Sequence, residues 1–152
     1  MKLETYLDPS RTRVLDGIAD ADALLTVLAE TASGVGIDPA ALLEALRERE
    51  RAAPTSTPEG VAFPHALLAG LDGTVVVAVK VNGGVMMGKA DHPPSDVVFC
   101  MVGSAEKPWD HVRLLARLAR LARGPGALDR IRAASNDREL YDTLVSEDRA
   151  HD

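Results

Sequence analysis

The sequence predicts an α/β domain with a β-sheet inside and helices on both of its faces. Two observations carry that expectation. Two near-continuously apolar, β-branched runs, TVVVAVKV over Thr74 to Val81 and DVVFCMV over Asp96 to Val102, read as strands covered on both faces. Helical patterns stand before, between and after the strand segments, the order of a layered domain. At 152 residues the chain has the length of one ordinary domain, and no internal repeat, low-complexity tract or linker divides it. The expected division is a single domain over residues 1–146 and a frayed charged tail over 147–152.

Taken in order, Arg13 to Leu15 suits a short strand. Asp20 or Asp22 then caps a helix whose Leu24, Leu25, Leu28 and Ala32 recur at helical spacing, and Gly34 and Gly36 stop it. IDPAALLEALRERE opens with Asp38 as N-cap and Pro39 at the first helical position, aligns Leu42, Leu43 and Leu46, and places Arg49 in its last turn. AAPTSTPEG, from Ala52 to Gly60, has prolines, hydroxyls and a glycine and reads as an ordered, hydrogen-bonding loop. GVAFPHA follows, from Gly60 to Ala66. A proline cannot donate to a sheet ladder, so the strand is expected to end at Pro64 and to present His65 at its tip. NGGVMMGKADHPPS reads as a connection between the two long strands. Pro108 opens a long helix closed by Gly124, and shorter helices are expected over Pro125 to Ala134 and Asp137 to Val145.

Hydrophobic and charged residues, at 46% and 26%, are in ordinary globular proportion, so a folded chain is expected. A net charge of −6 argues against nucleic acid as a partner, because phosphate-backbone affinity comes from clustered Lys and Arg. No stretch approaches a membrane span and MKLETYLDPSRTR lacks the apolar core of a signal peptide, so a cytoplasmic location without membrane insertion is expected. Cys100, the sole cysteine, lies in an apolar run and reads as a buried small hydrophobe rather than a nucleophile.

Chemistry is expected at two of the four histidines. His65 stands where the strand ends, and His111 falls in the first turn of the Pro108 helix, where free backbone N–H groups and the positive dipole end favour an anion such as phosphate. The same positive end would hold an imidazole neutral and nucleophilic near neutral pH. Arg49, Thr55, Ser56 and Thr57 are positioned to converge on that patch, a set of donors suited to phosphate. His92 reads as a surface or turn residue and His151 as part of the tail. No cofactor or metal is called for: a site built from His65, His92 and His111 lacks any compact ligand motif.

The stretch from Arg47 to Ala66, with Arg49, Glu50, Thr55, Gly60, Ala62, Pro64 and His65 at preserved spacing, resembles the signature of the IIA domains of the bacterial phosphoenolpyruvate-dependent sugar phosphotransferase system, fructose/mannitol type, which include the nitrogen-regulatory IIA proteins. HVRLLARLARL, from His111, is similar to that family's His-Leu-x-x-Leu-Ala-x-Leu helix, and the resemblance extends from about Leu3 to Leu144. It implies a mixed β-sheet sandwiched between helices. It also implies that His65 accepts a phosphoryl group from a histidine-containing phosphocarrier protein and passes it to a IIB partner, with His111 and Arg49 as active-site neighbours and Thr55 in the site loop. The chain departs from the pattern at Ser56, Thr57, Pro58 and Glu59, where relatives carry a glycine-rich loop, and at Ala66, where glycine is frequent. A Glu59 turned inward would repel phosphate.

With no IIB segment or membrane span in the sequence, regulation of a target protein is the expected use, sugar uptake remaining open. The alternative is a binding module that keeps the fold without the relay and recognises a protein or an anion. Arg113, Arg117 and Arg120 recur opposite Leu114, Leu115, Leu118 and Leu121 and would suit an acidic surface if they are not simply solvated. Trp109 is expected either to pack on the core or to meet a partner.

Overall fold

The apolar runs lie at the centre of the sheet in the computed structural model, which describes residues 1–33 and 36–150. β1 (Thr12–Leu15) runs parallel to β4 (Val75–Val85), and β4 runs antiparallel to β5 (Ser95–Ser104). β2 (Val61–Ala62) and β3 (His65–Leu68) both lie parallel to β5, so the sheet is mixed. α1 (Ala21–Ala32) and α2 (Pro39–Ala52) cover one face. α3 (Pro108–Ala122), α4 (Ala127–Arg132) and α5 (Asp137–Ala150) cover the other.

Period-two alternation explains why the strand runs are apolar throughout. Val77, Val79, Val98, Cys100 and Val102 face Leu24, Leu28, Leu42 and Leu46 of α1 and α2. Val76, Ala78, Val97, Phe99 and Met101 face Leu114, Leu118, Leu121 and Leu144 on the other side. Each fully buried leucine contributes about 1.5–3 kcal/mol relative to exposure. Asp20 caps α1 by accepting from the Ala23 N–H at 2.8 Å, and Asp38 caps α2 from the Ala41 N–H at 3.1 Å, with Pro39 at the first helical position. Each such cap stabilises its helix by about 1 kcal/mol. Gly34, expected to help stop α1, lies outside the described residues.

Four expectations require correction. The strand does stop before Pro64, at Ala62, but His65 is not its tip: the pairs Ala62↔Val98 and His65↔Met101 keep one register, so the ladder pauses across Phe63 and Pro64 and resumes with His65 as the first residue of a second strand. β4 runs on to Val85 instead of stopping at Val81, because Gly83 and Gly84, at φ 85° and 69°, absorb an irregularity in its pairing with β5. α4 is shorter than expected, Ala127–Arg132 rather than Pro125 to Ala134.

The charged tail is not frayed over residues 147–150, which continue α5. Asp148 accepts from the Leu3 backbone N–H at 2.8 Å and from Arg117 Nε at 2.5 Å, and Glu147 accepts from Arg130. Both carboxylates are buried. Charges taken from water persist only when paired, and the partners come from α3 and α4. Residues 151 and 152 lie outside the described residues. Among the described residues no helix is long and apolar enough to cross a membrane.

Candidate active site

His65 is the first residue of β3, on an edge of the sheet. The residue before a proline is confined to extended backbone. Phe63 therefore sends its N–H to the Thr55 carbonyl at 3.2 Å, while Pro64 keeps its own carbonyl on the Met101 N–H at 3.0 Å. The Phe63 carbonyl lies 2.8 Å from His65 Nδ1. Since a carbonyl only accepts, Nδ1 carries the proton. That leaves the Nε2 lone pair free to accept from Arg49 Nε–H at 3.2 Å.

Arg49 reaches the ring from the last turn of α2, as its place in the sequence predicts. Its Nη1 donates to the Ala53 carbonyl at 2.7 Å, which anchors the guanidinium at the helix end. Glu50, beside it, accepts from both the backbone N–H and the hydroxyl of Thr55, so the loop after α2 is tied to the same helical turn.

His111 comes from the opposite layer, on the first turn of α3, and its ring lies 5.1 Å from that of His65 at an interplanar angle of 53°. Only 6% of the residue is exposed, and neither ring nitrogen has a hydrogen-bond partner among the described residues. Buried, unpartnered polar atoms cost about 1–3 kcal/mol each, and such an arrangement suits a ligand that would satisfy them. Burial first, and then the charge of His65, lower the His111 imidazole to about 4, so the ring is neutral near pH 7. Its place at a helix start predicts neutrality from the dipole; in the structure burial is the first cause and the charge of His65 the second.

Gly103, in β5, makes the seat for this ring. A Cβ there would stand 2.7 Å from His111 Nδ1 and 2.9 Å from Leu67 Cδ2, closer than real side chains approach. The available signal was a glycine near the end of an otherwise apolar strand, the mark of a close backbone approach.

Together these groups line a cavity of about 470 Å³ formed by Ala45, Glu48, Arg49, His65, Ala66, Leu67 and His111. His65, His111 and Arg49, named from the sequence, thus meet in one place. Thr55 and Ser56 do not line it. The Thr55 hydroxyl is held by Glu50, and the Ser56 hydroxyl shares a 2.9 Å hydrogen bond with His92 Nδ1, so the convergence expected of these hydroxyls is absent from this arrangement. Glu59 does not enter the cavity either. It borders a separate groove with Phe63, Ala122 and Arg123. Among the described residues, no group of three or more His, Cys, Asp or Glu side chains is arranged to hold a metal ion. Cys100 is fully buried, and burial pushes its thiol up to about 12, consistent with a core residue.

Residues 5–147 match the family described as the phosphoenolpyruvate-dependent sugar phosphotransferase system, EIIA 2. The chain belongs to this family. Among its relatives is a nitrogen regulatory protein of Bradyrhizobium diazoefficiens, 30% identical over 123 residues that cover 81% of this chain and 80% of the relative. The fold matches the crystal structure of nitrogen regulatory protein IIA-Ntr from Neisseria meningitidis with a TM-score of 0.83 at 21% identity, over 92% of this chain and 97% of that one. It also matches a chain from the complex of enzyme IIAMTL and phosphorylated enzyme IIBMTL of Escherichia coli, with a TM-score of 0.70 at 18% identity, over 88% of this chain and 94% of that one. The mixed sheet between helices expected from the sequence is therefore the fold of this IIA family.

Proposed function

We propose that His65 carries a phosphoryl group on Nε2, taking it from a histidine-containing phosphocarrier protein and delivering it to a IIB partner or using it to control a target protein. The observation that carries this reading is the orientation of the ring: Nδ1 donates to the Phe63 carbonyl, and the Nε2 lone pair points at Arg49. In the forward step that lone pair attacks phosphorus in line, a new N–P bond forms, and the donor's N–P bond breaks with its electron pair returning to the donor imidazole. The proton on Nδ1 stays where it is. A loose transition state needs little covalent help, so catalysis is positioning and charge stabilisation.

Arg49 suits that task. Its Nε–H faces the nucleophile and can turn to the equatorial oxygens of an arriving phosphoryl group; its Nη1 contact with Ala53 holds it within reach. His111 is the second donor. Its ring nitrogens are buried and have no hydrogen-bond partner among the described residues, and a neutral ring donates to an oxygen without a change in protonation. Thr55 acts at one remove, holding the loop through Glu50, and Ser56 contributes to loop structure with His92.

The name of the Bradyrhizobium relative supports a regulatory use, and the mannitol complex supports exchange with a IIB protein. A cytoplasmic site of action follows from the phosphocarrier partner. The test is incubation with phosphoenolpyruvate and its phosphotransfer proteins. The intact protein should gain one acid-labile phosphoryl group, mapped to His65 and absent from His65→Ala. A folded protein that is never labelled would sink the reading.

A further inference from the structure

A second cavity lies across α2 from His65. Glu48 and Arg49 line the His65 cavity, whereas Arg47, Glu50 and Arg51 line the other, so the last turns of α2 form the wall between them. The second cavity, of about 460 Å³, is bounded by the start of α1 and by Met87 and Gly88, which follow β4. Its surface is mainly apolar and comes from Ala21, Leu25, Pro54 and Met87. A hollow of this size, mostly apolar with a few polar groups, has the build of a small-molecule site.

The charges around it do not balance. Asp22 accepts from Arg47 Nε and Nη2 at 2.8 and 2.9 Å, a bidentate pair that occupies both groups. Arg51 turns to Glu44, outside the cavity, at 3.3 Å. Arg49 is committed to His65 and the Ala53 carbonyl. Glu50 is thus left without a cation among the described residues, and its oxygens accept only from the backbone N–H and the hydroxyl of Thr55. A carboxylate accepts about four hydrogen bonds, so about two positions on it remain open. Half-buried beside apolar surface, such a charge is stabilised by a cationic partner more than it would be in open water. A metal ion does not suit the place, since among the described residues no group of three or more His, Cys, Asp or Glu side chains is arranged to hold one.

We propose that this cavity binds a small organic cation, an ammonium group on an apolar body, with the ammonium on Glu50 and the body against Leu25, Pro54 and Met87. An ammonium offers three donors and no acceptor, the complement of a carboxylate with open lone pairs. An anion is disfavoured, because both guanidiniums at the cavity already hold carboxylates. The proposal does not depend on the phosphoryl reading, yet Glu50 joins the cavity to that site. It holds Thr55, the Thr55 carbonyl accepts from the Phe63 N–H at 3.2 Å, and the Phe63 carbonyl in turn holds His65 Nδ1 at 2.8 Å. An occupant that draws on Glu50 therefore bears on the tether of the loop beside His65.

The test is a titration of the full chain, followed by backbone amide NMR shifts, with three probes of similar shape: phenethylammonium, phenethyl alcohol and hydrocinnamate. The ammonium should give saturable shifts at Ala21, Leu25 and Gly88, half-complete at about 10 mM or below, the affinity expected of so small a molecule. The Thr55 amide should move with them, because it donates to the same carboxylate. The alcohol should bind about tenfold more weakly and hydrocinnamate more weakly still. Glu50→Gln, which keeps an oxygen for Thr55 and loses the charge, should bind the ammonium no better than the alcohol. Ala21→Trp, which fills the cavity from the first turn of α1 and leaves Glu50 in place, should weaken the ammonium about tenfold. Unchanged affinity in a folded Glu50→Gln overturns the proposal, as does equal affinity for the ammonium and hydrocinnamate, or the absence of saturable shifts with the ammonium. Should Glu50→Gln fail to fold, unchanged affinity in Ala21→Trp overturns it instead.

Discussion

A His111→Gln variant should answer acid differently from the parent protein. In the folded chain, burial and then the charge of His65 bring the His111 imidazole from 6.5 to about 4. In the unfolded chain the ring keeps its ordinary value near 6.5. Above about pH 6.5 both states hold it neutral, and it adds no pH dependence. As pH falls through 6.5 the unfolded chain binds a proton that the native chain refuses, so stability drops, and the drop is complete below about pH 4. The whole interval corresponds to about 3 kcal/mol, of which about 2 kcal/mol is lost between pH 7 and pH 5. Urea unfolding followed by circular dichroism, for both proteins near pH 7 and pH 5, isolates this contribution because the other groups titrate in both. The parent should lose about 2 kcal/mol more than His111→Gln. Equal losses would refute the claim that packing keeps this ring unprotonated.

Other outcomes follow from the same geometry. Gly103→Ala should push His111 and Leu67 off their seats, costing about 1–3 kcal/mol in a denaturation curve and slowing phosphorylation more than an exposed glycine change such as Gly73→Ala. Arg49→Ala should slow labelling of His65 by about a hundredfold in a quenched-flow assay, and Arg49→Lys should recover little, because a point charge cannot bond the ring nitrogen and the Ala53 carbonyl in the same fork. Arg117→Ala should destabilise by about 3 kcal/mol by leaving Asp148 charged and buried, whereas Arg149→Ala, at an exposed pair, should change the unfolding midpoint by no more than about 1 kcal/mol. Cys100 should react with a thiol reagent only at the rate of unfolding.

Much of this protein is legible along the chain because its signals are local. Asp20, Asp38 and Pro39 announce helix starts, and the apolar runs announce a sheet covered twice. Arg49 and His65 carry a recognisable spacing, and α2 and β3 bring them into contact. What escaped is what depends on a distant partner. Glu147 and Asp148 look like solvated tail residues until Arg130 and Arg117 arrive from other helices. The hydroxyls of Thr55 and Ser56 look free until Glu50 and His92 claim them. Trp109 gave no sign which of its two expected places it takes, and it is exposed. The acceptor for His65 Nδ1 is a backbone carbonyl, which no residue type advertises. Asn82, Gly83 and Gly84 read as the start of a connection, yet with Gly83 and Gly84 at positive φ they carry β4 past its irregular pairing.

Among the described residues, β3 has no strand on its outer side. Many proteins recruit ligands by letting a peptide zip onto such an open border. The Phe63 carbonyl that aims the imidazole lies before that border, in a stretch whose outer side is already taken by Thr55 and Ser56, so an incoming strand could reach it only by displacing the loop after α2.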